Sequence, residues 1–335
     1  MAPPLSFLMP LFRHALRRPA ASRQVQSCMA AAIALLAALP WAQSEPPVDL
    51  STRRQGHEWP TFLGPTRDGR SQERDLDFDW PAAGPPVVWQ APLGAGYAAP
   101  SVSRGRLFHF DRYEDEDRLI CRNAETGEEL WSLASTTHFR DMLGYNNGPR
   151  CSPVVDGSRV YTLSAEGVLR CASELDGELL WEVNTTKEFN VVKNFFGVGS
   201  TPLVVGDYLI MNVGGSPPDS PVDVYAAKGI VPADGSGVVA FDKFRGKVVW
   251  ECADELASYA SPVAAHIDGR LWCFVFARGG LVALNPLTGK IDFEYPWRAM
   301  ILESVNASSP VVVGNEVFIS ETYGPGSSLL RVRPG

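Results

Sequence analysis

The sequence predicts an all-β fold: four-stranded antiparallel units arranged as the blades of a β-propeller. Three observations predict it. An eleven-residue phrase occurs four times, from Cys121 to Trp131, Cys171 to Trp181, Ala240 to Trp250 and Ala283 to Phe293. Each copy opens on a small residue, carries a glycine six places on (Gly127, Gly177, Gly246, Gly289) and closes on an aromatic four places later. Upstream, a Ser-Pro pair or a close relative opens a further apolar run: Ala99-Pro100, Ser152-Pro153, Thr201-Pro202, Ser261-Pro262 and Ser309-Pro310. Repetition at fixed offsets is the signature of a repeat architecture, and it precedes any reading of single residues.

Within a phrase, the residues before the glycine form one short strand, as in Val238-Val239-Ala240-Phe241, and those after it form the next, as in Lys247-Val248-Val249-Trp250. The glycine supplies the positive φ of a tight hairpin. The upstream hairpin turns at Asp156-Gly157, Gly206-Asp207, Asp268-Gly269 or Gly314-Asn315. Two hairpins make one blade. The phrase glycines stand 50, 69 and 43 residues apart, and the middle value carries an insertion from about Gly214 to Gly235. Units of about 40–50 residues with four strands are propeller blades. A β-sandwich does not require the same small residue, glycine and aromatic at fixed offsets. The WD and kelch signature patterns are absent from the blades.

Composition narrows the class. The 45% hydrophobic content suffices for a large β core, and the net charge of −8 gives no electrostatic reason for nucleic-acid binding. The one basic cluster, Arg13, Arg17, Arg18 and Arg23, precedes an apolar stretch from Met29 to Leu39 and then Ala42-Gln43-Ser44. That order is a secretory signal peptide, with cleavage expected after Ala42 or Ser44. The apolar run is too short to span a bilayer, so no membrane span is expected after cleavage; an uncleaved tether is the alternative. The expected organisation is a signal peptide at 1–44, an N-terminal extension at 45–84 and repeats at 85–335, with export to the periplasm or cell envelope.

Cys121 and Cys171 occupy the slot that Ala240 and Ala283 fill elsewhere, so they read as buried small apolar residues. Cys252 and Cys273 fall in one blade, where pairing is the alternative to free thiols. No Cys or His residues stand at metal-ligand spacing, so no metal site is assigned. The five histidines stand apart from one another, and no Ser-His-Asp arrangement or phosphate loop is present.

The phrases from Thr126 to Trp131, Gly246 to Trp250 and Ala283 to Lys290 resemble the pyrroloquinoline-quinone (PQQ) repeat. That repeat builds the eight-bladed propellers of quinoprotein alcohol dehydrogenases and of the BamB-like assembly lipoproteins, which bind no quinone. The stretch from Trp59 to Gly69 resembles the opening of bacterial envelope proteins with PQQ-like repeats. The resemblance runs from about Trp59 to the last residue, and it implies fold more firmly than activity. The dehydrogenases are similar in having adjacent cysteines near the quinone; this chain has none. About five blades are legible. A third strand after Ser309-Pro310 lacks a fourth, while Pro86-Val87-Val88-Trp89 resembles a fourth strand with nothing before it. Either Pro86–Trp89 closes a five-bladed ring, or the chain is part of an eight-bladed one, which the resemblance favours.

Short turns join strands one to two and three to four. The connections between strands two and three, and from blade to blade, are expected to be long and to share one face, where binding residues concentrate. The candidate residues there are Asn146, Asn147, Arg150, Tyr259, Arg278, Glu303, Asn306 and Glu321. Asp111 to Asp117 reads as a solvated loop, Asn146-Asn147 as turn chemistry, and Arg150 as an inter-blade salt bridge or a ligand contact. Two functions compete. One is a scaffold that binds a protein or envelope component through this face. The other is a PQQ- and calcium-dependent dehydrogenase of alcohols or sugars, with Arg150 at the quinone and Glu303, Asn306 or Glu321 at calcium. Carbohydrate binding, or a hydrolytic or lyase activity, on the tyrosine-rich face is a third reading.

Overall fold

The computed structural model describes residues 45–52, 56–227, 231–302 and 304–333. The expected signal peptide at 1–44 and Glu303 lie outside the described residues. The strands form five antiparallel sheets in sequence order. The first holds β1 (Ser101–Ser103), β2 (Arg106–Tyr113), β3 (Glu116–Asn123) and β4 (Glu129–Thr136). The second holds β5 (Val154–Asp156), β6 (Arg159–Leu163), β7 (Val168–Ser173) and β8 (Leu179–Asn184). The third holds β9 (Leu203–Val205), β10 (Tyr208–Asn212), β11 (Val238–Asp242) and β12 (Val248–Cys252). The fourth holds β13 (Val263–Ile267), β14 (Arg270–Phe276), β15 (Gly280–Leu284) and β16 (Ile291–Pro296). The fifth has three strands, β17 (Val311–Val313), β18 (Glu316–Glu321) and β19 (Gly326–Arg331). One short helix, α1 (Thr185–Glu188), follows β8; the Asn184 side chain accepts from the Lys187 amide at its start.

The repeated phrase has a direct structural meaning. Its small residue lies opposite its aromatic across strands three and four: Cys121 faces Trp131, Cys171 faces Trp181, Ala240 faces Trp250 and Ala283 faces Phe293. The register slips immediately after the small residue in all four sheets. A bulge there turns the strand toward its glycine turn. The aromatic then packs on the turn glycine of the following blade. A Cβ on Gly177 would lie 2.5 Å from the Trp131 ring, one on Gly246 2.6 Å from Trp181, and one on Gly289 2.7 Å from Trp250. Each glycine is thus required twice, by a positive φ (76°, 68° and 71°) and by the indole of the previous repeat. Trp89 meets Gly127 in the same way, and so stands where the last strand of a preceding blade would place its aromatic.

The cores lie between blades. Phe108 and Cys121 of the first sheet pack with Val155, Val160 and Ala172 of the second. Tyr161, Leu163 and Leu169 pack with Leu209, Met211 and Phe241 of the third. The same holds for sheets three and four, and for four and five. At the first strands, neighbouring blades touch through the Ser-Pro motif. The Ser101 hydroxyl donates to the Pro153 carbonyl (2.5 Å), and the Ser309 hydroxyl accepts from the Ser261 amide (3.1 Å). The N-terminal extension crosses these inner strands. Trp59 pairs with Val102, Pro60 accepts from the Val155 amide (2.8 Å), and Arg67 donates to the Val204 carbonyl (3.2 Å).

Three expectations are corrected. Asp111 to Asp117 is not a solvated loop: Asp111, Arg112 and Asp117 are buried in β2 and β3, with Arg112 opposite Asp117. Cross-strand pairing of opposite charges supports a tight turn at Glu114, whose φ is 52°. The connections between strands two and three are short except in the third sheet, where residues 213–237 intervene. Pro86–Trp89 does not pair with β19, and Val87 and Val88 are 76% and 82% exposed, so the five-bladed closure is not formed. Cys121, Cys151, Cys171, Cys252 and Cys273 are all free thiols. A reducing agent is therefore expected to leave the melting temperature unchanged; a fall would reveal a disulfide.

Candidate functional site

In an antiparallel sheet alternate connections emerge at the same end, so the blade-to-blade segments share one face. Backbone and side-chain hydrogen bonds tie several of these segments together. The Tyr97 amide donates to the Pro149 carbonyl (2.8 Å), the Phe196 amide to the Tyr259 hydroxyl (2.8 Å), and the Tyr259 amide to the Asn306 carbonyl (2.9 Å). Tyr97, Tyr145, Arg150, Phe196, Gly199 and Tyr259 line a cleft of about 280 Å³. Its rings form a series: Tyr145 to Phe196 at 6.1 Å, then Phe196 to Tyr259 at 5.7 Å between centroids. The Arg150 guanidinium lies 5.7 Å from the Tyr97 ring centre and 5.0 Å from that of Phe139.

Arg150 is held by the protein itself. Its Nη2 donates to Asp141 (3.0 Å) and to the Asn146 carbonyl (2.7 Å), and its Nη1 donates to the Gly148 carbonyl. The Asp141 side chain is fully buried, and that of Arg150 is 8% exposed. Asp141 is in turn capped by the loop, accepting from the amides of Leu143 (2.9 Å) and Asn146 (3.1 Å). Asn146 and Asn147 do turn chemistry: Asn146 Oδ1 accepts from Gly148 and Asn147 Oδ1 from Asp141, each at 2.8 Å. Burial lowers the Arg150 pKa and raises that of Tyr259, whose oxygen is spent on the Phe196 amide.

The remaining candidates form a second buried group. Arg278 donates to Asn194 and to the Leu302 carbonyl, each at 2.9 Å, and burial lowers its pKa to about 10. The Asn306 side chain is fully buried, and its Nδ2 donates to the carbonyls of Ala277 (2.7 Å) and Trp297 (3.3 Å). Glu321 accepts from the Ser304 hydroxyl at 2.9 Å. The seven predicted residues that are described therefore do not make one constellation. Arg150 and Tyr259 reach the cleft, the two asparagines shape the loop beside it, and Arg278, Asn306 and Glu321 brace the segments before the fourth and fifth sheets. Asp141, Phe139 and Asn194 were missed. An aromatic or acid in an irregular segment has no periodicity to flag it.

Among the described residues, no group of three or more His, Cys, Asp or Glu side chains is placed to hold a metal ion. Of the residues suggested at a quinone or calcium ion, Arg150 gives both terminal nitrogens to protein acceptors and Glu321 accepts from Ser304, whereas Asn306 donates from Nδ2 to carbonyls and keeps its Oδ1 buried without a hydrogen-bond partner.

Comparison with known proteins follows this geometry. Two matches to the family model for outer membrane protein assembly factor BamB cover residues 81–217 and 216–333. No curated protein matches the sequence. Among solved structures, BamB from Moraxella catarrhalis is similar at 16% identity and a TM-score of 0.45, covering 71% of this chain and 60% of that one. The quinohemoprotein alcohol dehydrogenase from Comamonas testosteroni is similar at 15% identity and a TM-score of 0.37, covering 74% and 51%. The chain thus spans less than two thirds of either structure. With family matches running through every sheet from β1 to β19, the chain belongs to the PQQ-repeat β-propeller family described as outer membrane protein assembly factor BamB.

Proposed function

We propose that this chain is an exported binding module that engages a protein or another envelope component through the face where the blade-to-blade segments meet. The observation that carries the reading is the cleft of Tyr97, Tyr145, Phe196 and Tyr259 around an internally neutralised Arg150. Aromatic side chains over a rigid, hydrogen-bonded floor suit recognition of a partner. Membership of a family named for an assembly factor supports a protein partner and an envelope location. No described helix is long and apolar enough to cross a membrane. We read the sheets as part of an eight-bladed ring, supported by the apolar Val311, Val313, Phe318 and Leu329 that the fifth sheet leaves exposed. The full-length gene tests that reading by its number of repeats.

The functional test is affinity capture from an envelope fraction, with wild-type chain beside a variant carrying Arg140→Glu and Tyr145→Ala. Arg140 and Tyr145 are exposed on the proposed face. The expected result is one partner lost with the variant and no thermal shift on adding PQQ with Ca²⁺. Quinone-dependent reduction of a dye by an alcohol or sugar would instead establish the dehydrogenase reading.

A further inference from the structure

We infer that the cleft beside Arg150 is an anchor socket: it takes one uncharged aromatic side chain, of indole or phenol type, presented by an extended segment of the partner. The inference rests on the binding-module reading and specifies what that module grips. Size comes first. A volume of about 280 Å³ sits at the small end of the range typical of ligand sites, roughly 300–1,000 Å³. It suits a single side chain with the main chain left outside.

The chemistry of the walls points the same way. Tyr145, Phe196 and Tyr259 follow one another with ring planes tilted by 39° and 42°, which leaves faces and edges for a further ring to meet edge-on or offset. Gly199 forms part of the wall, and a Cβ there would come within 2.9 Å of the Tyr259 ring. The glycine lets the Tyr259 ring pack closely against that wall. The terminal nitrogens of Arg150 and one acceptor position of Tyr259 are already engaged, while Arg150 Nε is buried without a partner. Asp141 and two carbonyls take the Arg150 terminal nitrogens, and the Tyr259 oxygen takes the Phe196 amide. A carboxylate ligand would compete with Asp141 for Arg150. The Arg150–Asp141 pair cancels in charge, so an uncharged anchor is the complementary one. Tyr97 and Tyr145, 62% and 71% exposed, stand at the mouth, where an arriving side chain would cover them.

The test titrates the full chain with N-acetyl-tryptophanamide, N-acetyl-leucinamide and cellotriose, read by ligand-observed NMR up to about 10 mM, a weak-affinity regime. The tryptophanamide is expected to bind most tightly. Tyr145→Ala and Tyr97→Ala should each weaken it by about tenfold, at unchanged melting temperature. Cellotriose binding ahead of the tryptophanamide, no binding of the tryptophanamide, or wild-type affinity in both variants would overturn the socket. The captured partner separates this failure from failure of the wider reading. If Tyr145→Ala alone leaves partner binding intact while Arg140→Glu abolishes it, the face stands and the socket falls. If neither substitution changes partner binding, the face falls as well.

Discussion

Trp181→Ala is expected to lower the free energy of unfolding by about 3–5 kcal/mol, the cost of a large cavity where an indole packed. Trp181 lies against Tyr161, with centroids 6.0 Å apart, and covers the glycine turn of the next blade at Gly246. Its Nε1 donates to the Lys243 carbonyl at 3.2 Å. Trp131 and Trp89 make the equivalent bonds to Glu174 (3.1 Å) and Ala124 (3.0 Å). Trp250 breaks the pattern, because its Nε1 is buried without a partner. Conversion to phenylalanine therefore discriminates between the sites. Trp181→Phe loses a hydrogen bond as well as ring area, whereas Trp250→Phe removes an unpaired donor, and the next repeat already uses Phe293 at this position. Urea melts should rank Trp181→Phe as the more damaging by about 1 kcal/mol. The reverse order would show that the indole bonds contribute nothing to holding blades together.

The second large effect is in pH. Asp117 is 3% exposed, and burial pushes its carboxyl up to about 7, against the pull of Arg112 and Arg170; Glu166 adds to the rise and Arg150 opposes it. The folded state binds this proton more tightly than the unfolded chain, whose carboxyl has its ordinary value of 3.8. Its contribution to stability is therefore complete below 3.8, is lost as pH rises through about 7, and is flat above that. A rise of about three units corresponds to about 4 kcal/mol across the window. Asp117→Asn should remove this dependence. It should match wild type near pH 4 and exceed it in stability at pH 8. Parallel wild-type and variant melts across that range would contradict the assignment.

The fold was legible because its determinants are local and repeated. A small residue opposite an aromatic, followed by a glycine, specifies a bulged hairpin and its neighbour's seat within eleven residues. What the sequence hid depended on partners far along the chain. Asp111 to Asp117 reads as solvated by composition, yet Arg112 reaches the Phe139 and Asn147 carbonyls and is buried there. Leu76 to Pro81 has nearly the residue pattern of β16, Ile291 to Pro296, but pairs with no described strand and leaves Phe78 74% exposed. A strand pattern says that a segment can pair, not that an edge lies within reach. At the site, Arg150 was found from its place before a Ser-Pro-type strand. Its counter-ion Asp141 was not, because an ion pair inside an irregular segment leaves no spacing to read.

The central claim is that partners meet the face bearing the blade-to-blade segments. Photo-crosslinking tests it most directly. One chain carries p-benzoylphenylalanine in place of Tyr145 in the cleft, and another carries it in place of Asp268, exposed in the β13–β14 turn at the opposite end of the blade. Irradiation in an envelope fraction should give a discrete adduct from position 145 and none from position 268. An adduct from position 268 alone would contradict the account.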